Sequence, residues 1–277
     1  MKSAYSIAGL LAVLFATNTN GQTLEKMKEL FPDKLAIFSN ITRNVEISYK
    51  KGIPYAEASE LSEMMILDDN ANGMFNKDHV YHSNFNELKK IEAYTLVPEG
   101  SSSKKIKVTE FKTQSSKSQG VFYDDVKETS FDYPQLRKGS ISHVETQHFN
   151  KDIRFLSTFY FSNYLPVHNA SYSITYPSDI DIRYIVKNDV NKTLSVQEST
   201  EGKKKKLTFT ATNVKNFDYF GDGTSFPYYG LHVIVYVASY RNNNETVPVF
   251  SSTDALHKWN VNFLNDINSS VDPHLKK

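Results

Sequence analysis

The sequence predicts a mainly β fold, an antiparallel β-sandwich with a short N-terminal helix and a C-terminal helix. Three observations predict it. Short runs rich in β-branched and aromatic residues recur along the chain, divided by Asn, Gly, Pro and Lys clusters. No long stretch of helical apolar periodicity lies between those runs, so the strand-helix alternation that builds parallel sheets is missing. The 17 Tyr and 18 Phe supply an aromatic-rich core.

At the N-terminus, residues 1–21 carry one Lys, an apolar run from Ile7 to Ala16 and small residues ending at Gly21. That pattern is a secretory signal peptide, too short to span a bilayer. No later run approaches the roughly 20 apolar residues that a membrane span needs. Losing Lys2 with the signal leaves 31 basic against 31 acidic residues, a net charge of zero. Such a balance argues against nucleic acid or anionic lipid as the main partner. The expected destination is the periplasm, with the cell surface as the alternative. The chain contains no cysteine, which excludes disulfides, thiolate metal sites, a cysteine nucleophile and a lipoprotein anchor within it. No cofactor is expected.

Residues 22–40 form a helical lead-in, because "TLEKMKELFP" offers Thr23 as an N-cap and stops before Pro32. Residues 41–264 form the sandwich. Its strands are expected at 44–50, 62–69, 90–98, 105–113, 140–149, 154–161, 170–177, 181–188, 206–214 and 231–240. "LHVIVYVASY" (231–240) is nearly all apolar, the pattern of a central strand covered on both faces. "GKKKK" (202–206) is expected to be a solvated hairpin with a basic edge rather than a nucleic-acid patch. In "SSTDALHKWNVNFLND" a Ser cap and an acidic first turn start a helix, and Leu256, Trp259 and Phe263 share one face, so Trp259 is expected to be buried. Residues 265–277 read as a polar, linker-like tail.

Several motifs weaken on inspection. "DDNANG" sets Asp68, Asn70, Asn72 and Gly73 at EF-hand positions, but His79 stands where the bidentate Glu belongs. A hairpin turn with Asn-Gly at its tip is the better reading. His79 and His82, and likewise His143 and His148, sit at odd spacings that point to opposite faces of a strand and so do not make metal pairs. "GDGTSFP" around Ser225 lacks the second Gly of a nucleophile elbow and reads as a turn. Sequons occur at Asn40, Asn169, Asn191, Asn244 and Asn268, and bear on the protein only in a eukaryotic source.

The stretch "GVFYDDVKETSFDYPQLRKGS" (120–140) holds the one adjacent carboxylate pair set among aromatics. Neighbouring residues on a strand project in opposite directions, so Asp124 and Asp125 cannot both face one scissile bond without a bulge. The stretch is expected to be a strand, a crossing and a new strand, with Gly139 making the sharp re-entry. Tyr123, Asp124, Asp125 and Lys127 are the residues it offers as a contact surface; no catalytic or metal-binding residue is assigned.

"LKKIEAYTLVPEG", "KKIKVTEFKT", the 120–140 stretch, "FYFSNYLPVHNASYSITYPSDIDIRYIV" and "GLHVIVYVASY" through "STDALHKW" resemble, in order and spacing, a bacterial exported domain of unknown function that typically precedes a transglutaminase-like domain. The resemblance runs from Phe38 to Leu264. It implies a two-layer β-sandwich with few helices and, in longer members, a papain-like Cys-His-Asp domain on the C-terminal side. None of that domain's catalytic residues has a counterpart here, and the tail "VDPHLKK" resembles the lead into it. The expected function is a noncatalytic binding module that positions a protein or peptide, with a transglutaminase-like domain as its partner. The alternatives are a small carboxylate-dependent hydrolase using Asp124 or Asp125, and a carbohydrate-binding sandwich.

Overall fold

A computed structural model describes residues 24–71, 73–100, 102–116, 125–217, 225–243 and 245–262. The signal-like segment 1–21, the Thr23 cap and the tail 265–277 lie outside the described residues.

Helix α1 (Leu24–Leu30) leads into two long strands, β1 (Ala36–Lys50) and β2 (Ile53–Ile66). Lys51 and Gly52 join them, both at positive φ (53° and 77°), which is the backbone of a tight hairpin whose twist matches its strands. Then come β3 (Lys77–His82), β4 (Asn86–Glu99), β5 (Ser102–Lys107), β6 (Lys112–Ser115), β7 (Lys127–Asp132) and β8 (Ile141–Asn150). A short β9 (Phe159–Tyr160) precedes β10 (Val167–Pro177), β11 (Ile180–Lys187), β12 (Ser195–Glu201) and β13 (Lys204–Val214). The described chain ends with β14 (His232–Asn242), β15 (Glu245–Pro248) and α2 (Thr253–Asn262).

Eight strands make one large sheet in the order β12-β13-β10-β1-β2-β8-β4-β5. A three-stranded sheet runs β3-β7-β6, and in a third sheet β14 pairs with β11, β15 and β9. Strand alternation gives the large sheet two faces. On one, Val45 and Ile47 of β1 lie beside Ala58 and Ala56 of β2 and Ile174 of β10, all buried. Both small sheets close over that face: Phe131 of β7 and Val233, Val235 and Val237 of β14 share one core with Val45, Ile174 and Phe209. On the other face, Met27 of α1 and Phe31 just after it cover Ile37, Met65 and Leu67. The mainly β, sandwich-like architecture is therefore as the sequence implies, with the second layer divided into two sheets.

Some particulars differ. β1 and β10 pair in parallel, whereas every other pairing among the described residues is antiparallel; eight strands, β2 to β9, separate these two along the chain, so no tight turn constrains their direction. Segment 154–161 is mostly not a strand. Asp152 accepts the Arg154 N–H at 2.9 Å and starts a 3-10 turn over Ile153–Phe155, leaving only β9 extended. "DDNANG" is not a hairpin tip either. Asp68 Oδ1 accepts the Asn70 N–H at 2.9 Å, and a 3-10 turn over Asp69–Ala71 carries the chain from β2 in the large sheet to β3 in a small one. β14 is central in its sheet, but one face is only partly covered. Trp259 is half-buried rather than buried, and Leu256 is exposed. The indole rests edge-on against Phe155 and Phe250 beside the Arg154 guanidinium, a partial cover at the rim. Phe263 lies outside the described residues.

The hairpin at "GKKKK" is present, with Gly202 at φ 59° between β12 and β13. Within the 120–140 stretch, the described residues from Asp125 on run from β7 through a turn to β8, with Gly139 at φ 78°, as expected. No helix among the described residues is long and apolar enough to cross a membrane.

Candidate functional site

Because the second layer is split, a groove remains over the inner face of the large sheet. Ile41 and Arg43 of β1, Glu60 and Ser62 of β2, and Val144, Thr146 and His148 of β8 floor it. One wall is β3; the other is the segment from Ser157 to Tyr164. Two adjoining cavities of about 490 and 470 Å³ share Ile41, Ser62, His79, Val80 and Val144, so the groove runs along the length of β3.

Among the polar floor residues, Arg43 and Glu60 are fixed by local partners. Arg43 Nε stands 2.8 Å from Glu60 Oε1; that nitrogen makes no aligned hydrogen bond, so the contact is an ion pair without hydrogen-bond geometry. Arg43 also donates through Nη1 to the carbonyls of Ser157 (3.3 Å) and Thr158 (3.2 Å), and its guanidinium sits 5.4 Å from the Phe159 ring centre. One side chain thus ties the floor to the far wall. His148 is 5% exposed, and its Nδ1 has no hydrogen-bond partner. Burial lowers its pKa, with Arg43 and His82 acting in the same direction and Glu60 opposing.

On β3, Asp78, Val80 and His82 turn toward the interior while Lys77, His79 and Tyr81 are exposed. His82 Nε2 lies 2.9 Å from Thr129 Oγ1, which in turn lies 2.8 Å from Thr113 Oγ1. Burial, and then Lys127, lower the His82 pKa. The Tyr133 N–H donates to Asn76 O at 2.7 Å, one step beyond the Lys77–Asp132 pair. Bonded positions alternate along an antiparallel edge, so the main-chain groups of Asp78, Val80 and His82 face β7. Those of Lys77, His79 and Tyr81 face away from it, on the groove side. Asp78 Oδ1 accepts the His79 N–H at 2.8 Å, and Asp78 Oδ2 accepts from the Tyr133 hydroxyl at 3.0 Å. Burial and the Asp78 charge hold the Tyr133 phenol well above its ordinary pKa.

Of the contact residues named from sequence, Tyr123 and Asp124 lie outside the described residues. Asp125 Oδ2 accepts the Asn84 N–H at 2.9 Å and so braces the turn between β3 and β4. Lys127 pairs in register with His82. Neither Asp125 nor Lys127 lines the groove. Among the described residues no group of three or more His, Asp or Glu side chains is placed to hold a metal. Sequence reasoning passed over Arg43 and Glu60 and weighed His148 only as half of a metal pair, although each falls in the two-residue phase of buried neighbours: Val45 and Ile47, Ala56 and Ala58, and Val144.

A family model described as a domain of unknown function with solved structure, DUF3857, matches residues 62–218. The chain belongs to the DUF3857 family. Among solved structures, this DUF3857 chain is similar to a protein from Parabacteroides distasonis provisionally named a protease, with a TM-score of 0.61 and 14% identity over 73% of this chain and 40% of that one. It thus spans well under half of that protein's length, and the likeness is one of fold. An M1 zinc metallopeptidase from Deinococcus radiodurans matches over 78% of this chain and 47% of its own, at 9% identity and a TM-score of 0.35, below the level of a shared fold. No curated protein matches the DUF3857 chain.

Proposed function

We propose that this chain is a noncatalytic module, exported to the periplasm, that holds an extended protein or peptide segment for a transglutaminase-like domain to act on. The groove between β3 and the Ser157–Tyr164 segment carries this reading. It is long and narrow, walled on one side by β3 and on the other by a segment of which only β9 is strand. Its charged floor pair, Arg43 and Glu60, is spent on itself and on holding the far wall. Acyl transfer of the transglutaminase type needs a thiolate, and the sequence supplies none. The acid-pair alternative loses Asp125 to a turn-bracing bond away from the groove.

The test is retention of a random peptide library by the full chain, with bound peptides analysed by mass spectrometry. Peptides are expected to be retained and recovered uncleaved, and Ser62→Trp, which fills the floor, should reduce retention. Cleavage that Asp125→Asn abolishes would move the hydrolase to first place, and absence of retention would remove the binding function.

A further inference from the structure

We infer that the outer edge of β3 captures its ligand by strand addition: another protein's extended segment, apolar at alternate positions, pairs its backbone with Lys77, His79 and Tyr81. This rests on the groove reading above and specifies how the groove is filled. Of the two walls, β3 offers a strand edge over six residues, whereas β9 contributes only two. On the β9 side, Arg43 already takes the carbonyls of Ser157 and Thr158. β3 is an edge strand of its sheet, and its register turns the main-chain groups of Lys77, His79 and Tyr81 away from β7.

The Asp78 carboxylate marks the expected bond. Its Oδ1 accepts the His79 N–H at 2.8 Å, the place a paired strand's carbonyl would take. Exposed edges attract further strands and are commonly blunted by charge; here the blunting group is anchored by the Tyr133 hydroxyl and need only swing aside. Main-chain bonds would supply affinity without sequence demands, while alternate side chains meet the floor. That floor is apolar at Ile41, Met64 and Val144, so inward positions of the guest are apolar. Its outward positions lie beside exposed Lys77, His79 and Tyr81 and are polar. The six residues of β3 span about 20 Å, room for a segment of about six residues.

The probe is a fluorescein-labelled peptide of about seven residues alternating Val and Thr, followed by anisotropy with the full chain. Saturable binding is expected. A second peptide, N-methylated at alternate amides on its pairing edge, should bind at least about tenfold more weakly. His79→Pro should weaken the unmethylated peptide similarly while keeping the circular dichroism spectrum, because proline is tolerated where the N–H faces off the sheet. Equal binding of the two peptides overturns strand addition and leaves the groove reading standing. Failure of the Val/Thr peptide to saturate at about 1 mM also overturns strand addition; if library peptides are still retained, the groove reading survives it.

Discussion

Arg43 Nε lies 2.8 Å from Glu60 Oε1 on the face of the large sheet that also buries Val45, Ile47, Ala56 and Ala58. The pair is lopsided: the Arg43 side chain is 18% exposed and that of Glu60 38%. Water screens the carboxylate, so the Coulomb part is worth little. The guanidinium's bonds to Ser157 and Thr158 sit deeper. Arg43→Met is therefore expected to cost about 1–3 kcal/mol, for two carbonyls left without a donor, and Glu60→Gln only about 0.5–1 kcal/mol. Urea unfolding of the singles and the double gives the coupling energy, which should stay below about 1 kcal/mol. A larger coupling would mean that the ion pair, not the wall anchoring, holds the groove.

His148 sets an acid limit on stability. Its folded pKa is lowered, chiefly by burial, below the ordinary value of about 6.5. As pH falls through about 6.5 the unfolded chain takes up a proton that the folded chain resists, so this contribution is complete above that pH and is lost below it. His82 shifts the same way, from burial and Lys127, and adds to the slope. Melting temperature should fall between about pH 6.5 and pH 5, and His148→Gln should flatten that limb. An unchanged slope in the variant would place the acid sensitivity elsewhere.

How far the sequence could be read is clearest along β1 and β2. The phase that puts Val45 and Ile47 inside also puts Arg43 there, and the phase of Ala56 and Ala58 does the same for Glu60. A charge in an apolar phase is a visible sign that it meets a partner on that face, and it was legible without coordinates. The groove was not, because it arises from pairings between distant segments. β3, a half-polar run of six residues, gains its strand character only from β7. Likewise Trp259 showed a helical apolar stripe, but the stripe could not say how little surface α2 would find to cover it.

Gly139 and Gly202 offer a matched pair. Both have positive φ, 78° and 59°. A Cβ at Gly139 would come within 3.1 Å of Pro98 Cγ, whereas one at Gly202 meets nothing within 4 Å. Gly202→Ala should cost about 1 kcal/mol from the left-handed backbone alone. Gly139→Ala should cost more, about 2 kcal/mol, because the β4 end must also shift. Denaturant midpoints measured side by side test the order.

Trp259 is the sole tryptophan, so its emission reports directly on α2. Half-buried beside Phe155 and Phe250, it should emit between the buried and fully wet limits and be partly quenched by acrylamide. Trp259→Ala should cost about 1–2 kcal/mol, near half of a full burial term. Phe209, fully enclosed between Tyr172 and Tyr184, should cost about 3–5 kcal/mol when cut to Ala. Equal losses would show that α2 is docked as firmly as the core.

Asp125 separates the binding module from the hydrolase. Its Oδ2 receives the Asn84 N–H at 2.9 Å, which fixes the turn that brings β3 back into β4. A carboxylate holding a main-chain N–H is positioned by that bond, and a general acid or base needs its reacting oxygen free to face substrate. Asp125→Ala should therefore cost about 1 kcal/mol of stability and loosen β3, the wall whose outer edge is offered to the guest strand. Peptide binding should weaken in step with that loosening, while peptide cleavage stays at background in the parent and the variant alike. Hydrogen exchange at Asp78 and Val80, whose main-chain groups face β7, reads the first effect, and mass spectrometry of the recovered peptide reads the second. Faster exchange at β3 together with intact peptide is the outcome expected of a brace; loss of a measurable cleavage rate with unchanged exchange is what a catalytic acid would give.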